Sequence, residues 1–267
     1  MKLFYRDSGK GDPLIILHGL YGSSDNWVGI SKELEKFFRV ILVDQRNHGQ
    51  SPHSENHTYN DLVNDLLETI DALGFQKIKI IGHSMGGKVA MQFAIDHPDR
   101  IKSLIVVDIT PWGYNQNHTI SQPLFEEHSR IISGLMNIPI SSITSRNEAD
   151  NILSETIKNT TIRQFLLKNL KRGRDGSFSW RFNLPVLANS LPNMLSGITP
   201  HRDLKKSDTN ALFIKGSLSS YIPNDKKEEL KRTFPNSEVL SVNDAGHWVH
   251  AEKPEEFLDL VFNFLLG

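Results

Sequence analysis

Residues Lys77 to His97 read KIKIIGHSMGGKVAMQFAIDH, and the order of events in this stretch decides the fold. A short β-branched run, KIKII, ends at Gly82 and predicts a strand; after Gly87, KVAMQFAIDH spaces its apolar residues as a helix does. Between them, Gly82-His83-Ser84-Met85-Gly86 is Gly-x-Ser-x-Gly. A sharp turn from strand to helix holds its central residue in strained backbone. The positions two before and two after it must lack side chains so that strand and helix can pack closely. Ser84 is therefore predicted to project its hydroxyl from the carboxyl edge of a sheet as a nucleophile. The plainer alternative is a glycine-rich turn with an inert serine. The turn contains neither Gly-x-Gly-x-x-Gly nor a Gly-Lys-Ser/Thr phosphate loop, so no nucleotide and no cofactor is expected.

On either side the chain repeats the same rhythm. LIILH (14–18), VILVD (40–44) and LIVVD (104–108) read as further strands. SSDNWVGISKELEKFF (23–38) and NDLVNDLLETIDALG (60–74) read as helices capped by Ser or Asn, the second ending at Gly74. Strands alternating with helices predict a parallel sheet. From Thr110 to about His201 the rhythm is lost. Residues 140–157 and 161–174 have helical spacing, and SFSWRFNLP (177–185) reads as a loop or edge hairpin. Strands return at ALFIKG (211–216) and EVLSV (238–242), and PEEFLDLVFNFLL (254–266) closes the chain as a helix with Pro254 in its first turn. The predicted organisation is a core over 1–110, an insertion over 111–201 and the rest of the core over 202–267.

Composition narrows the function classes. The 267 residues carry 30 Lys+Arg against 31 Asp+Glu, a formal charge of −1, so nothing global draws the chain to nucleic acid or an anionic membrane. No cysteine is present, which removes disulfides, thiolate metal sites and a cysteine nucleophile. The opening residues MKLFYRD contain no secretory apolar region, and no apolar run approaches the ~18 residues of a membrane span. The expectation is a cytoplasmic protein with neither a nucleic-acid nor a membrane partner, its oligomeric state left open.

A serine nucleophile needs a base. Of the 11 histidines, His247 stands in NDAGHWVH between the last predicted strand and the terminal helix, where a loop can bring its imidazole over the sheet edge. His250 is the nearest competitor but is expected to begin the turn into the helix. His53, His57, His97, His118, His128 and His201 are read as surface or loop residues, and His18 and His83 as supports of their turns. No metal site is expected, because the close pair His247 and His250 has no acidic partner patterned beside it.

Together these motifs resemble the α/β-hydrolase family over nearly the whole chain. His18-Gly19-Leu20-Tyr21-Gly22 resembles the family's oxyanion turn, and Asp44-Gln45-Arg46-Asn47-His48-Gly49-Gln50-Ser51 its Asp-x-Arg-x-x-Gly-x-Ser loop. The Arg-Asn-His-Gly segment and the strand-end Val-Asp-Ile are most similar to small cap-bearing bacterial esterases of the YbfF group. The resemblance implies an α/β fold with a mostly parallel central sheet flanked by helices and a largely helical cap inserted after the sixth strand. It also implies that the backbone N–H groups of Leu20 and Met85 form an oxyanion hole.

The acid departs from the commoner family pattern. Most members place Asp about three residues beyond the glycine of the strand that here reads ALFIKG, and this chain has Ser219 there. In the esterases it most resembles, the acid ends the preceding strand, which is Asp108. Asp225 is the alternative, and Asp108 as a simple turn or helix cap is the third reading. Asp44 is expected to hold its turn, and Asp244 to belong to loop chemistry.

The resemblance thus implies a serine hydrolase of carboxylic esters or thioesters, with Ser84 as nucleophile, His247 as general base and acid, and Asp108 orienting the histidine. The alternatives are a non-catalytic small-molecule binding protein or receptor on the same fold, or a carbon–carbon bond hydrolase. The latter usually keeps the acid at the position of Ser219. The substrate side is less legible. Trp112, Phe125, Phe165, Phe178, Trp180, Phe182 and Trp248 are apolar bulk that could roof a pocket, and Trp112, Phe125, Phe165, Trp180 and Trp248 are the chosen pocket candidates. Equally, inserted aromatics could simply fasten the insertion to the core. The basic run Lys168, Lys171, Arg172 and Arg174 reads either as a solvated helix end or as a seat for an anionic tail.

Overall fold

Alternation within the short apolar runs explains how the core is built. In β2 (Pro13–Leu17), Leu14 and Ile16 pack into one buried cluster while Ile15 and Leu17 pack into the other. A strand buried on both faces belongs inside a sheet covered by helices on each side. The computed structural model describes residues 1–114, 122–198 and 206–267. His118, His201 and the expected boundary of the insertion near residue 201 lie outside the described residues.

The chain opens with β1 (Tyr5–Gly9) and β2 (Pro13–Leu17), then α1 (Val28–Leu34), β3 (Arg39–Val43), α2 (Tyr59–Ala72), β4 (Ile78–His83), α3 (Met85–Asp96) and β5 (Ile101–Val107). There follow α4 (Gln122–Met136), α5 (Arg146–Thr156), α6 (Thr160–Leu167), a hairpin of β6 (Leu170–Arg172) and β7 (Phe178–Trp180), and α7 (Leu184–Met194). The sheet is resumed by β8 (Ala211–Gly216), α8 (Lys227–Thr233), β9 (Ser237–Val242), α9 (Val249–Glu252) and α10 (Pro254–Leu266). Among the described residues no helix is long and apolar enough to cross a membrane.

The main sheet has seven strands in the order β1-β3-β2-β4-β5-β8-β9, all parallel except the antiparallel edge strand β1. Residues of α2 and α3 share one buried cluster with Ile15, Ile80 and Val106, and residues of α1 and α10 share the other with Leu14, Ile105 and Ile214. This is the α/β-hydrolase architecture expected from the sequence. Strand β2 leads outward to β3 on one side while β4 lies on the other, so a crevice opens beyond the carboxyl ends of β2 and β4. Ligands of open α/β sheets bind at such a switch point.

Four details differ from expectation. β1 was not legible, because YRDSG is a polar edge strand with no buried position. The insertion follows the fifth strand of the chain rather than the sixth, with β1 to β5 preceding it. The cap of α2 is Thr58 rather than Asn60: its side chain accepts from Asp61 N at 3.2 Å, and the Asp61 carboxylate accepts from Thr58 N in return. The helix expected over 161–174 stops at Leu167, and Lys171 and Arg172 lie in a strand. The Asn169 side chain donates to Tyr21 O at 2.7 Å and its carbonyl accepts from Arg181 N at 2.9 Å, while Gly176 at φ +86° turns the hairpin. These contacts pull the chain away from helix continuation.

Candidate active site

The turn after β4 is held by close backbone contact. A Cβ on Gly82 would lie 2.3 Å from Gly86 O, and one on Gly86 would lie 2.5 Å from Leu17 O and 2.6 Å from His18 O. Neither position can carry a side chain. Between them Ser84 adopts φ +52°, ψ −118°, a conformation that an L-residue occupies only under constraint. Ser84 N donates to Val107 O at 3.0 Å, which ties the turn to the end of β5. Met85 opens α3, so its amide has no acceptor within the helix and sits at the positive end of the helix dipole.

The neighbouring turn, after β2, is fixed by histidines. His18 Nε2 accepts from Gln45 N at 3.0 Å and its Nδ1–H donates to Gly19 O at 2.9 Å. His48 Nε2 accepts from Tyr21 N at 3.3 Å while its Nδ1–H donates to Arg46 O at 2.9 Å. Asp44 accepts from Ser24 N at 2.6 Å and Gln50 N at 2.8 Å, and Arg46 pairs with Asp65 at 2.6 Å. The Asp44 loop is thus a brace around Leu20. Leu20, Ser84 and Met85 all border a small inner cavity, and Leu20 and Ser84 also border the outer cleft.

His247 enters that outer cleft from the loop after β9. Its Nδ1 lies 2.8 Å from Asp108 Oδ2. Asp108 is fully buried at the end of β5, at φ +52°, and also receives the Ser219 hydroxyl and, at 3.3 Å, the Gly216 amide. The sequence position that lacks a carboxylate, Ser219, therefore carries a donor to the carboxylate of the neighbouring strand. Burial pushes the Asp108 carboxyl up, against the lowering effect of the Ser219 and Gly216 hydrogen bonds, and pushes the His247 imidazole down. Asp225 is exposed in a separate turn, and no contact joins it to His247 among the described residues. Asp244 is exposed at φ +52°, its amide bonded to Ser217 Oγ at 2.9 Å.

Several contributors were missed in the sequence. The Tyr221 ring stacks on His247 with centroids 3.9 Å apart, and its hydroxyl meets His128 Nε2 at 2.9 Å. Tyr221 lies two residues beyond Ser219, so that position pointed to the right loop. His128, read as a surface or loop residue, faces the cleft from α4 beside Glu127; only the packing of α4 over the sheet edge brings it there. The His83 ring N–H donates to the His247 carbonyl at 2.9 Å, so the second residue of the Gly-x-Ser-x-Gly turn anchors the histidine loop. His250 is buried, stacked on Trp27 at 3.9 Å, and is thereby held away from the cleft.

Of the aromatic pocket candidates, Phe165 and Trp248 line the cleft with Ser84, their rings 5.4 Å apart. Trp112 borders a different hollow with Ile198, and Trp180, stacked on Phe182 at 5.1 Å, faces another. Phe125 packs against the core cluster and is not among the residues described as lining the cleft. Trp112, Phe125 and Trp180 all pack against the buried core cluster, where their rings help to join the insertion to the core. The cleft is otherwise walled by Ile131, Ile162 and Leu166, and its free space is narrow, about 60 Å³, with about 20 Å³ in the inner cavity. Among the described residues no group of three His, Asp or Glu could hold a metal ion.

The comparisons with known proteins agree with this architecture. A family model described as alpha/beta hydrolase fold matches residues 12–125. The chain is 38% identical over 263 residues to a zebrafish (Danio rerio) protein named sn-1-specific diacylglycerol lipase ABHD11, covering 96% of this chain and 80% of that one. It is 34% identical over 256 residues to Esterase YbfF of Escherichia coli K12, covering 96% and 94%. A solved structure described as a marine microorganism esterase superposes with a TM-score of 0.93 at 42% identity, covering 99% of both chains. With likeness of this degree along nearly its whole length, the chain belongs to the α/β-hydrolase family, within the YbfF group.

Proposed function

We propose that the protein is a carboxylic ester hydrolase that turns over small-molecule oxygen esters or thioesters through an acyl-enzyme on Ser84. The observation that carries this reading is the meeting, in one cleft, of a serine in strained backbone with a histidine whose far nitrogen is bonded to a buried carboxylate. The esterase and lipase names of the relatives support ester cleavage.

In this reading the Ser84 hydroxyl attacks the acyl carbon while His247 Nε2 takes its proton. Asp108 holds the opposite ring N–H, fixes the tautomer and stabilises the imidazolium without taking the proton itself. The alkoxide formed on the carbonyl oxygen is received by the Leu20 and Met85 amides, with the α3 dipole behind them; one such donor is typically worth ~2.7–4 kcal/mol in the barrier. Collapse expels the alcohol or thiol, which takes the proton from His247. Water then attacks the acyl-enzyme, again giving its proton to His247, and the acid leaves as Ser84 is restored. The apolar wall of Ile131, Ile162, Phe165, Leu166 and Trp248 holds the hydrocarbon part of the substrate.

The test is hydrolysis of p-nitrophenyl butanoate together with fluorophosphonate labelling mapped by mass spectrometry. Ser84→Ala is expected to lower kcat by at least ~10³-fold and to abolish the label. Labelling that persists at wild-type level in Ser84→Ala overturns the assignment.

A further inference from the structure

A second concavity, about 640 Å³, lies between the insertion and the core loop that follows β3, and its lining is strongly one-sided in charge. Arg146 at the start of α5, Lys168 at the end of α6, Lys171 and Arg172 in β6 and Arg181 after β7 all face it, with His53 and the Gly49–Gln50 segment on the core side; no carboxylate lines it. The whole chain carries a formal charge of −1, so this concentration of cations is local and unlike the rest of the molecule. Lys168, Lys171 and Arg172 are exposed and have no carboxylate partner among the described residues. Arg181 shares Asp25 at 2.6 Å, and one Arg146 nitrogen donates to Leu167 O at 2.6 Å, which fixes both guanidinium groups at the rim.

The hairpin geometry explains why the cations converge. Had the helix continued to residue 174, as the sequence predicts, Lys168, Lys171 and Arg172, at i, i+3 and i+4, would have shared one face of it, but no returning strand would have brought Arg181 beside them. Breaking it at Lys168 and folding back through Gly173 and Gly176 instead brings residues from α6, β6 and the end of β7 to one concave face. Solvent and salt screen these largely exposed cations from one another, and an anion seated among them removes the repulsion that remains.

We propose that this hollow is a binding site for an anion carrying two or more phosphate groups. Guanidinium forks match phosphate oxygens, and five cations from α5, α6, β6 and the segment after β7 exceed what one phosphate can engage. The phosphates can belong to a free polyphosphorylated metabolite or to the headgroups of anionic phospholipid, and the experiment separates these sources. The site is distinct from the Ser84 cleft, although α6 borders both through Phe165 and Lys168.

The test uses the full chain. Isothermal titration with inorganic tripolyphosphate in 50 mM salt is expected to show binding that weakens at least ~10-fold in 300 mM salt. The triple variant Lys168→Ala/Lys171→Ala/Arg172→Ala is expected to bind at least ~10-fold more weakly, whereas Lys226→Ala/Lys227→Ala/Lys231→Ala, which removes three lysines at and before α8, away from the hollow, binds as wild type. Thermal melting reports the fold of each variant, and the single exposed substitution Lys171→Glu repeats the test should the triple variant melt early. Co-sedimentation with phosphatidylglycerol but not phosphatidylcholine vesicles, lost in Lys171→Glu, assigns the phosphates to lipid headgroups; tripolyphosphate binding without vesicle retention assigns them to a free ligand. Absence of tripolyphosphate binding at 50 mM salt, or equal loss in the remote control, overturns the proposal.

Discussion

The turns at the carboxyl edge of the sheet and the inserted segment above them are built on different physical terms. At the sheet edge each position is dictated by backbone: Gly82 and Gly86 face carbonyl oxygens at distances no Cβ can tolerate, and Ser84 and Asp108 both sit at φ +52°. In the insertion the aromatic residues are packed ring against ring, Phe165 on Trp248 and Trp180 on Phe182, contacts that can shift. Trp180 and Phe165 are only 15 positions apart and chemically alike, yet one faces the basic hollow and the other the cleft. Catalytic geometry can therefore be strict where recognition is adaptable.

The largest expected effect falls on the sheet edge. Asp108→Asn should lower kcat for p-nitrophenyl butanoate by roughly 10⁴-fold, as loss of the orienting carboxylate does in such sites, while Asp225→Asn leaves it unchanged. A reversed result would move the acid to the later loop and break the comparison. The pH profile sharpens it. The Asp108 carboxylate favours protonated His247, so its removal, with burial still pushing that imidazole down, moves the acid limb of the residual kcat/KM to lower pH. An unmoved limb would mean that the two groups are not coupled.

Next is the contrast between two glycines. Gly86→Ala, facing backbone, is expected to destabilise the fold by about 3 kcal/mol, read as a fall in Tm of roughly 6–12 °C. Gly134→Ala in α4 meets the end of the flexible Leu153 side chain at 2.9 Å and the Thr156 side chain at 3.4 Å, with no backbone in the way, and restores helix propensity of about 1 kcal/mol. It is expected to be neutral or slightly stabilising in the same melt. Equal losses would show that the insertion is as rigid as the sheet edge.

The smallest effect concerns substrate choice. Phe165→Ala widens a narrow cleft and should raise kcat/KM for p-nitrophenyl dodecanoate relative to the butanoate by several-fold, whereas Trp180→Ala leaves that ratio unchanged. A shift with Trp180→Ala would return that residue to the acyl pocket.

The parts of the fold readable in sequence are those where local pattern and tertiary demand coincide. The strands LIVVD and ALFIKG are buried on both faces, so their apolar continuity announced them, and KIKII was announced by its β-branched isoleucines. β1 is polar along its length and owes its extension to pairing with β3, which no local signal records. Likewise residues 161–174 keep a helical spacing that Asn169 overrides through its bonds to Tyr21 O and Leu166 O. The sequence also put His247, Asp108 and Ser84 forward as candidates, whereas Tyr221 and His128 gave no pattern of their own.

By itself the sequence determined the sheet, the strained serine turn and the chemical types available at its edge, because backbone sterics and burial act over a few neighbouring residues. Tertiary structure decided which of several carboxylates faces His247, which aromatics border the cleft, and that five cations share one hollow. Those outcomes depend on chain segments far apart in sequence packing against each other, and distance through space leaves no trace in local spacing.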